Sequence, residues 1–407
     1  MNILLTTDFE LGHEPAAQQD THLAIQYKSD SYWWHTIGGD IAALLHEARY
    51  SARTQSAFLT FFKYVICPHL GPAPSTTSAR SSLTMGGHPF EYCLEFEGGT
   101  TRNPIVKVVV DASPLRSTSL HGPLSMATTD AVVATLVPRV PGFDASWYLS
   151  FRRFFDLAHL PLAEQRVLID SAGHQSPVEL GFDIQHEHHP SPDSLPVLAK
   201  VYFLPCFIAA ARGITRWRAA KLAFSSLPGF ESGNMPRLQA ALALVDVFLT
   251  EKGVEWEDEV RCIATDFVKP EKARLKIYFR CPAGASVQEV RDACTLGGRI
   301  AGMDGEDRAH LEGLIASIAG KADARDAGEV GMQTPQEAWH AKRTMVYMSL
   351  SDEHPVSASK VLVWARGLAP TDGAIARRTD GWLQRNGCND PQRSRGKSVE
   401  EMVQSIL

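Results

Sequence analysis

Several features that define large classes of protein are missing from this sequence. No apolar run approaches the roughly 20 residues of a membrane-spanning helix, and the first residues lack the charged flank and long apolar core of a signal peptide. The seven cysteines are scattered and form no C-x-x-C pair, which favours reduced thiols over a disulfide framework or a zinc site. We therefore expect a cytoplasmic protein without a membrane anchor.

An excess of basic charge is missing as well. The 407 residues include 40 Lys and Arg against 46 Asp and Glu, and the formal net charge of -6 gives no general field for nucleic acid or an anionic membrane. The 44% hydrophobic and 21% charged residues are ordinary globular composition. We expect one domain over residues 1–407 with no nucleic-acid partner, so any anionic ligand must be held by local charges.

Hydrophobic periodicity predicts helices that alternate with pairs of strands. Helical spacing covers residues 31–70, and period-two alternation follows at 89–97 and 105–111, with a Gly98-Gly99 turn between. The order repeats, with further helical patterns at 145–172, 207–249, 287–319 and 335–342, and further strands at 180–185, 198–205, 260–268, 273–280, 344–350 and 359–366. Strand pairs joined by short turns are antiparallel, so the helices cover one face of the sheet. This α+β pattern fits both a closed barrel with a helical coat and an open sheet.

The uncovered face of four predicted strands carries cations. Alternate side chains of a strand point to opposite faces, and the parity opposite the apolar residues holds Lys107, Lys200, Arg274, Lys276 and Lys360. Tyr202 and Tyr278 alternate with these cations. Solvated lysines would explain any one strand, but four such strands favour a confined lumen, where the cations need a polyanion such as diphosphate.

The sequence also has neither a DDxxD run, which would hold magnesium against a diphosphate, nor a GxxxxGK[ST] loop. Protein cations would then have to neutralise a departing diphosphate, so we expect no metal and no cofactor. The allylic cation left behind is a species that tyrosine ring faces stabilise.

An acidic residue lies at the start of the first predicted strand. Glu91 shares one strand face with Cys93, Glu95 and Glu97. A carboxylate in a cationic, aromatic lumen can accept a hydrogen bond from an N–H or O–H of an electron-rich ring and raise its nucleophilicity. The alternative is that Glu91 is a counter-ion for the lysines.

Together these segments resemble the fungal dimethylallyltryptophan synthase family of aromatic prenyltransferases. The likeness extends from about residue 34 to 387 and is carried by LLHEARY at 44–50, SLT at 82–84, PFE at 89–91, KVYFLP at 200–205, RLKIY at 274–278, TLGGR at 295–299 and the 360–372 segment. The resemblance implies an ABBA fold, a ten-stranded antiparallel barrel inside a ring of helices. It also implies metal-independent transfer of a dimethylallyl or longer group to an indole or phenolic ring in secondary metabolism.

The resemblance implies roles for individual residues. Glu91 matches the group that holds the aromatic acceptor, and Tyr202 and Tyr278 match two tyrosines that shield the allylic cation. Lys107 stands where an arginine usually binds the diphosphate, and Lys200, Arg274, Lys276 and Lys360 match further diphosphate ligands. The remaining substrate-binding positions are Leu83, Gln185, Leu362, Trp364 and Arg261, the last of which matches a residue that holds the tryptophan carboxylate in relatives.

The sequence departs from the family at several of these positions. Leu362 stands where the family has a third shield tyrosine, and Trp364 stands where it has a proline. Gln185 replaces a lysine base, and Leu204 replaces a substrate-facing tyrosine. In the family, the last helix-strand-strand unit carries a fourth shield tyrosine. We expect this unit to be shortened here, so that the barrel has fewer strands or is closed in another way. Because leucine is smaller than tyrosine, we expect a donor of C10 or longer.

On sequence alone, two other functions and assembly into a homodimer remain open. A lyase could use the same barrel to ionise and cyclise a prenyl diphosphate, although Glu91 argues against it. An inactive relative could bind anions only, although the two Lys-x-Tyr strands argue against that. The sequence also leaves a homodimer open.

Overall fold

Helices and pairs of strands follow each other in the order that the periodicity predicts. The computed structural model describes residues 2–6, 22–73, 81–84, 86–97, 103–112, 122–186, 191, 194–230, 233–282, 286–301, 305–320, 344–353, 358–363, 365, 369, 371–386 and 398–404. The strands are β1 (Asn2–Thr6), β2 (Phe90–Glu97), β3 (Ile105–Val110), β4 (Val178–Ile184), β5 (Val197–Phe203), β6 (Val260–Asp266), β7 (Leu275–Arg280), β8 (Met345–Leu350) and β9 (Ala358–Leu362).

The described helices lie between these strands, apart from the last two, which follow β9. They are α1 (His22–Glu47), α2 (Ala52–Phe61), α3 (Ala127–Leu136), α4 (Ser146–Phe155), α5 (Leu162–Ala172), α6 (Cys206–Arg212), α7 (Arg216–Phe224), α8 (Pro236–Lys252), α9 (Val254–Glu257), α10 (Val287–Thr295), α11 (Gly305–Ile318), α12 (Asp372–Arg385) and α13 (Val399–Gln404). The predicted helix at 335–342 and the Gly98-Gly99 turn lie outside the described residues. No described helix is both long and apolar enough to cross a membrane.

All nine described strands form one antiparallel sheet in which neighbours in sequence are neighbours in space, from β1 to β9. The sheet is curled into a half-barrel, which confirms the α+β class. The resemblance implies ten strands, whereas the described residues contribute nine in a linear order. β1 was not predicted from the sequence, and it pairs with β2 at one edge of the sheet.

Aromatic side chains join the helices to the convex face of the sheet. Phe203 of β5 points outward and packs against Phe151 and Phe155 of α4, with ring centroids 5.5 and 5.2 Å away. Phe61 of α2 packs in the same way on Phe182 of β4 at 5.4 Å. Burial of these aromatic rings contributes to the apolar layer between the helices and the sheet. The helical coat leaves the other strand parity free to face the lumen.

The helix ends near the sheet are fixed by local hydrogen bonds. Thr215 caps α7 by accepting a hydrogen bond from the backbone N–H of Arg218, 3.2 Å away. α5 ends at Gly173, which has φ of 64° and avoids the steric cost that a β-carbon meets there. Both ends border the lumen, because Gly173 and Arg216, the first residue of α7, line its cavity.

Candidate functional site

The concave face of the sheet encloses a cavity of about 430 Å³. Side chains from every strand between β2 and β9 line it, because each strand sends alternate residues to this face. Its size lies in the range of small-molecule sites, roughly 300–1,000 Å³. The cavity is therefore large enough for a small ligand and is lined by both charged and aromatic groups.

Most of the site residues predicted from the sequence meet in this cavity. Those that line it are Leu83, Glu91, Lys107, Lys200, Tyr202, Arg261, Lys276, Tyr278, Lys360 and Leu362. Arg274 lies outside the lining, and Asp266 links it to the lining residue Lys276. Gln185 is not brought to the cavity, since its side-chain Nε2 donates to the backbone carbonyl of Asp183, 3.0 Å away. Trp364 lies outside the described residues.

Carboxylates already pair with the cavity lysines. Lys107 Nζ lies 2.5 Å from Glu95 Oε2 and 3.4 Å from Asp183 Oδ2. Lys200 donates to the same Asp183 carboxylate, and Lys360 donates to Glu95. The chain of ion pairs therefore runs from β9 through β2, β3 and β4 to β5. Glu95 is the carboxylate that contacts both Lys107 and Lys360.

These contacts shift the pKa values of both partners. Burial opposes ionisation of Asp183, but Lys200 and Lys107 hold its pKa well below the ordinary value. Burial also opposes the charged form of Lys107, and Asp183 and Glu95 nevertheless keep its pKa above the ordinary value. Both groups are therefore charged at neutral pH.

A second ion-pair group lies on β6 and β7. Asp266 is 2.5 Å from Lys276 Nζ and 2.7 Å from Arg274 Nε. Burial and the neighbouring charge of Lys200 lower the pKa of Lys276 to about 7, although Asp266 acts in the opposite direction. Lys276 is thus a buried amine that titrates near neutral pH.

The five cations exceed their carboxylate partners. Lys107, Lys200, Arg274, Lys276 and Lys360 bring five positive charges when all are protonated, and Glu95, Asp183 and Asp266 bring three negative ones, which leaves an excess of two. Four of the five cations line the cavity and Arg274 lies behind Lys276, so this excess is partly buried and is screened less than in water. The cluster is suited to a small polyanion such as diphosphate. The described residues contain no group of three or more His, Cys, Asp or Glu arranged to hold a metal.

Three tyrosines stand beside the cations. The rings of Tyr202 and Tyr278 are 5.8 Å apart, and Tyr347 of β8 stacks on Tyr278 with centroids 4.8 Å apart. Lys360 Nζ lies 5.8 Å from the Tyr347 ring. Burial raises the pKa of Tyr202 and Tyr278 well above the ordinary value, so both hydroxyls remain neutral. Their faces form an aromatic wall suited to a carbocation.

The other end of the cavity differs in chemistry. Glu91 and Glu179 line it, and burial together with Asp111 and Glu91 raises the pKa of Glu179 well above its ordinary value. Arg216 and Arg261 also line the cavity, and burial and Arg261 lower the pKa of Arg216. This end offers hydrogen-bonding groups to an uncharged or weakly acidic ring.

Sequence reasoning missed four residues that shape this site: Asp183, Asp266, Tyr347 and Glu179. Asp183, Asp266 and Tyr347 lie on predicted strands, and Glu179 lies one residue before the strand predicted at 180–185. Each is paired across the sheet with a predicted cation or tyrosine, namely Lys107, Lys200, Tyr278 and Tyr202. The same period-two alternation that identified the lysines would have placed them on the lumen face. It would not have revealed which lysine each aspartate contacts.

Comparison with known proteins gives concordant results. The model of a family described as tryptophan dimethylallyltransferase matches residues 29–397. The chain is 38% identical over 394 residues to prenyltransferase phnF of Penicillium herquei, covering 96% of this chain and 86% of the relative. It is 36% identical over 387 residues to DMATS-type prenyltransferase mfmD of Annulohypoxylon moriforme, covering 95% and 86%.

Solved structures share the architecture. AnaPT from Neosartorya fischeri superposes with a TM-score of 0.67 at 19% identity, covering 88% of this chain and 81% of that one. NotF, in complex with brevianamide F and DMSPP, superposes with a TM-score of 0.70 at 20% identity, covering 93% and 86%. At such identities the likeness concerns the fold alone.

Proposed function

The chain belongs to the tryptophan dimethylallyltransferase family of aromatic prenyltransferases, and we propose that its cavity moves a prenyl group from a prenyl diphosphate to an oxygen- or nitrogen-bearing aromatic ring. The observation that carries this proposal is the convergence of cations from four strands beside three tyrosines. The NotF prenyltransferase, which shares this fold, was solved in complex with brevianamide F and DMSPP, and this is consistent with the proposal.

The cation cluster would bind the diphosphate of the donor. Lys107, Lys200, Lys276 and Lys360 reach the cavity, and Arg274 supports Lys276 through the shared Asp266. When the bond between the allylic carbon and the diphosphate oxygen breaks, its electron pair leaves with the diphosphate. Preorganised cations stabilise that growing negative charge most in a site of low dielectric constant.

The tyrosines would protect the allylic cation that remains. Tyr202, Tyr278 and Tyr347 present ring faces, which attract a cation through their quadrupole and exclude water. Tyr347 supplies a third ring although Leu362 has replaced the tyrosine expected on β9. Tyr347 is paired with Tyr278 of β7 on one side and with Lys360 of β9 on the other. The Tyr347 ring therefore lies between another shield tyrosine and a proposed diphosphate ligand.

Glu91 would hold the acceptor. Its carboxylate can accept the O–H or N–H hydrogen bond of the ring and so increase the electron density at the attacking carbon. That carbon forms a new bond to the allylic cation, and loss of the ring proton restores aromaticity. Arg261, which also lines the cavity, would bind a polar substituent of the acceptor.

Metal independence is part of the proposal, since the protein cations take the place of a metal at the diphosphate. The test is incubation with C5, C10 and C15 prenyl diphosphates and a panel of tryptophan, tyrosine, cyclic dipeptides and aromatic polyketides, with and without EDTA, and detection of products by mass. We expect a prenylated acceptor whose yield EDTA leaves largely intact. Loss of activity with EDTA that magnesium restores would contradict metal independence, and cyclised hydrocarbon without transfer would favour the lyase.

Donor length is tested by the same panel. Leu362 lines the cavity opposite Met345, its partner across β8 and β9, so this wall is aliphatic. We expect kcat/KM to be higher for a C10 than for a C5 donor and Leu362→Tyr to reverse that order. One methylene is worth ~1–3 kcal/mol in a hydrophobic pocket, so five carbons give ample discrimination. A wild type that prefers C5 would show that another group fills the space.

One finer expectation from the sequence stays a prediction. We propose a cytoplasmic location, which cell fractionation tests. Light scattering of the purified protein decides between a monomer and the homodimer that the sequence leaves open.

A further inference from the structure

Glu179 is a cavity carboxyl with no assigned role. It lies on β4 opposite Tyr202 of β5, and its side chain faces the lumen. The residue is only 8% exposed. Among the residues that the structure describes, no cation or hydrogen-bond donor contacts its carboxyl, and its charged neighbours Asp111 and Glu91 are both acidic. Such a group is costly to bury unless a ligand supplies its hydrogen-bond partner.

Asp183, on the same face of the same strand, shows the contrast. It is paired with Lys200 and Lys107, whereas no cation of the described residues contacts Glu179. Four residues of strand separate the two, about 13 Å at the usual rise. The diphosphate end of the cavity thus lies at Asp183, and Glu179 belongs to the acceptor end, with Glu91.

Glu91 and Glu179 flank a small apolar platform. β3 runs between their strands, and its Val109 is paired with Glu91 on one side and Gly181 on the other. Val109 lines the cavity, and beside it the ring of Tyr202, and not a side chain of β4, lies over Gly181. A flat ring over Val109 can therefore direct one substituent to Glu91 and another to Glu179.

We propose that Glu91 and Glu179 bind two oxygen atoms on one edge of the acceptor, so that the preferred acceptor is an aromatic ring with two oxygen substituents and not an indole. This inference rests on the proposed function of the cavity. A protonated Glu179 donates to a hydroxyl or carbonyl oxygen of the ring, while the Glu91 carboxylate accepts from a hydroxyl. An indole has only one hydrogen-bonding atom in its ring system, the N–H, and would leave Glu179 buried without a partner.

The experiment compares acceptors that differ by one oxygen. Binding of 1-naphthol, 1,3-dihydroxynaphthalene and indole is measured by calorimetry without any prenyl donor, for wild type, Glu179→Gln and Glu179→Leu. In the wild type we expect the dihydroxy compound to bind about tenfold more tightly than 1-naphthol, the effect of one buried hydrogen bond. Glu179→Gln keeps this preference because an amide is neutral and both donates and accepts, whereas Glu179→Leu abolishes it.

The exposed Glu164→Leu on α5 is the matched control and should behave as wild type. A preference that survives in Glu179→Leu, or that is missing from the wild type, overturns the inference. If Glu179→Leu does not fold, Glu179→Gln decides, because loss of the preference in a folded amide variant also overturns it. Product assays with a prenyl diphosphate test the proposed function separately, since binding selectivity is measured without turnover.

Discussion

The cavity lysines are held by carboxylates before any donor arrives, so a diphosphate must compete for them. Asp183, Glu95 and Asp266 each contact two cations. The sequence pattern suggested that the cations would need a polyanion in order to coexist, and the carboxylates meet part of that need. Diphosphate binding is therefore an exchange of partners around a residual positive charge.

Lys276 makes this exchange dependent on pH. Its pKa of about 7 in the free protein means that it is mostly neutral at about pH 8, and a bound diphosphate favours its protonated form. Binding should therefore take up protons above about pH 7.5, and donor affinity should fall as pH rises to about 9, by at most tenfold per unit. The donor stays fully ionised in this range because phosphate groups titrate near pH ~6.

Calorimetry in two buffers of different ionisation enthalpy measures the proton uptake. Lys276→Arg, which is always protonated, should bind the donor without it. Equal heats in both buffers for the wild type would show that Lys276 is already charged in the free protein.

Glu91 should affect turnover more than donor binding. Glu91→Gln removes the charged acceptor but keeps the shape of the side chain, so kcat should fall on the order of 10²-fold while the donor Kd changes little. Steady-state kinetics with saturating acceptor and calorimetry with the donor alone separate the two effects. Unchanged turnover would reduce Glu91 to a structural role.

At the scale of elements, a glycine on β4 determines where a side chain of the neighbouring strand β5 can lie. A β-carbon at Gly181 would lie 2.8 Å from Cε2 and 3.2 Å from the hydroxyl oxygen of Tyr202. Gly181 thus leaves the space that lets the Tyr202 ring lie over β4. Gly181→Ala should push that ring toward Tyr278, lower kcat by up to 10²-fold and cost ~1–3 kcal/mol of stability.

The matched control is Gly39→Ala on the exposed face of α1, where an added β-carbon meets no atom within 4 Å. That change should stabilise the protein by about 0.5–1 kcal/mol and leave kcat unchanged. Thermal melts and initial rates of both variants provide the comparison. Full activity in a stable Gly181→Ala protein would mean that Tyr202 can move without consequence.

The sequence predicts most strands because period-two alternation is a local property. Lys200 and Tyr202, and likewise Lys276 and Tyr278, were placed on one face by parity alone, and the structure has them there. β1 was missed because Asn2–Thr6 is short and has no clear alternation. The Lys360–Glu95 contact joins residues 265 positions apart, and only the curl of the whole sheet brings them together.

At the scale of the whole molecule, that contact links the two ends of the half-barrel through its lumen. Glu95 of β2 is paired with Lys107 of the next strand and with Lys360 of β9. The same carboxylate therefore stabilises the curled sheet and occupies two of the proposed diphosphate ligands. We therefore expect a substitution of Glu95 that lowers the stability of the ligand-free protein to raise its affinity for the donor.

Glu95→Gln tests this opposition. Removal of the charge leaves Lys107 and Lys360 under-neutralised, and we expect a loss of about 2 kcal/mol, below the ~3–5 kcal/mol of a fully buried pair because their side chains are 15% and 22% exposed. The donor should bind about threefold to tenfold more tightly, since it no longer competes with Glu95. Saturating donor should then raise the Tm of the variant by more than that of the wild type.

Exposed Glu164→Gln is the control and should change neither stability nor donor affinity. A Glu95→Gln variant with the Tm of the wild type would show that Glu95 does not stabilise the curled sheet. Weaker donor binding by the variant would show that Glu95 does not compete with the donor for Lys107 and Lys360.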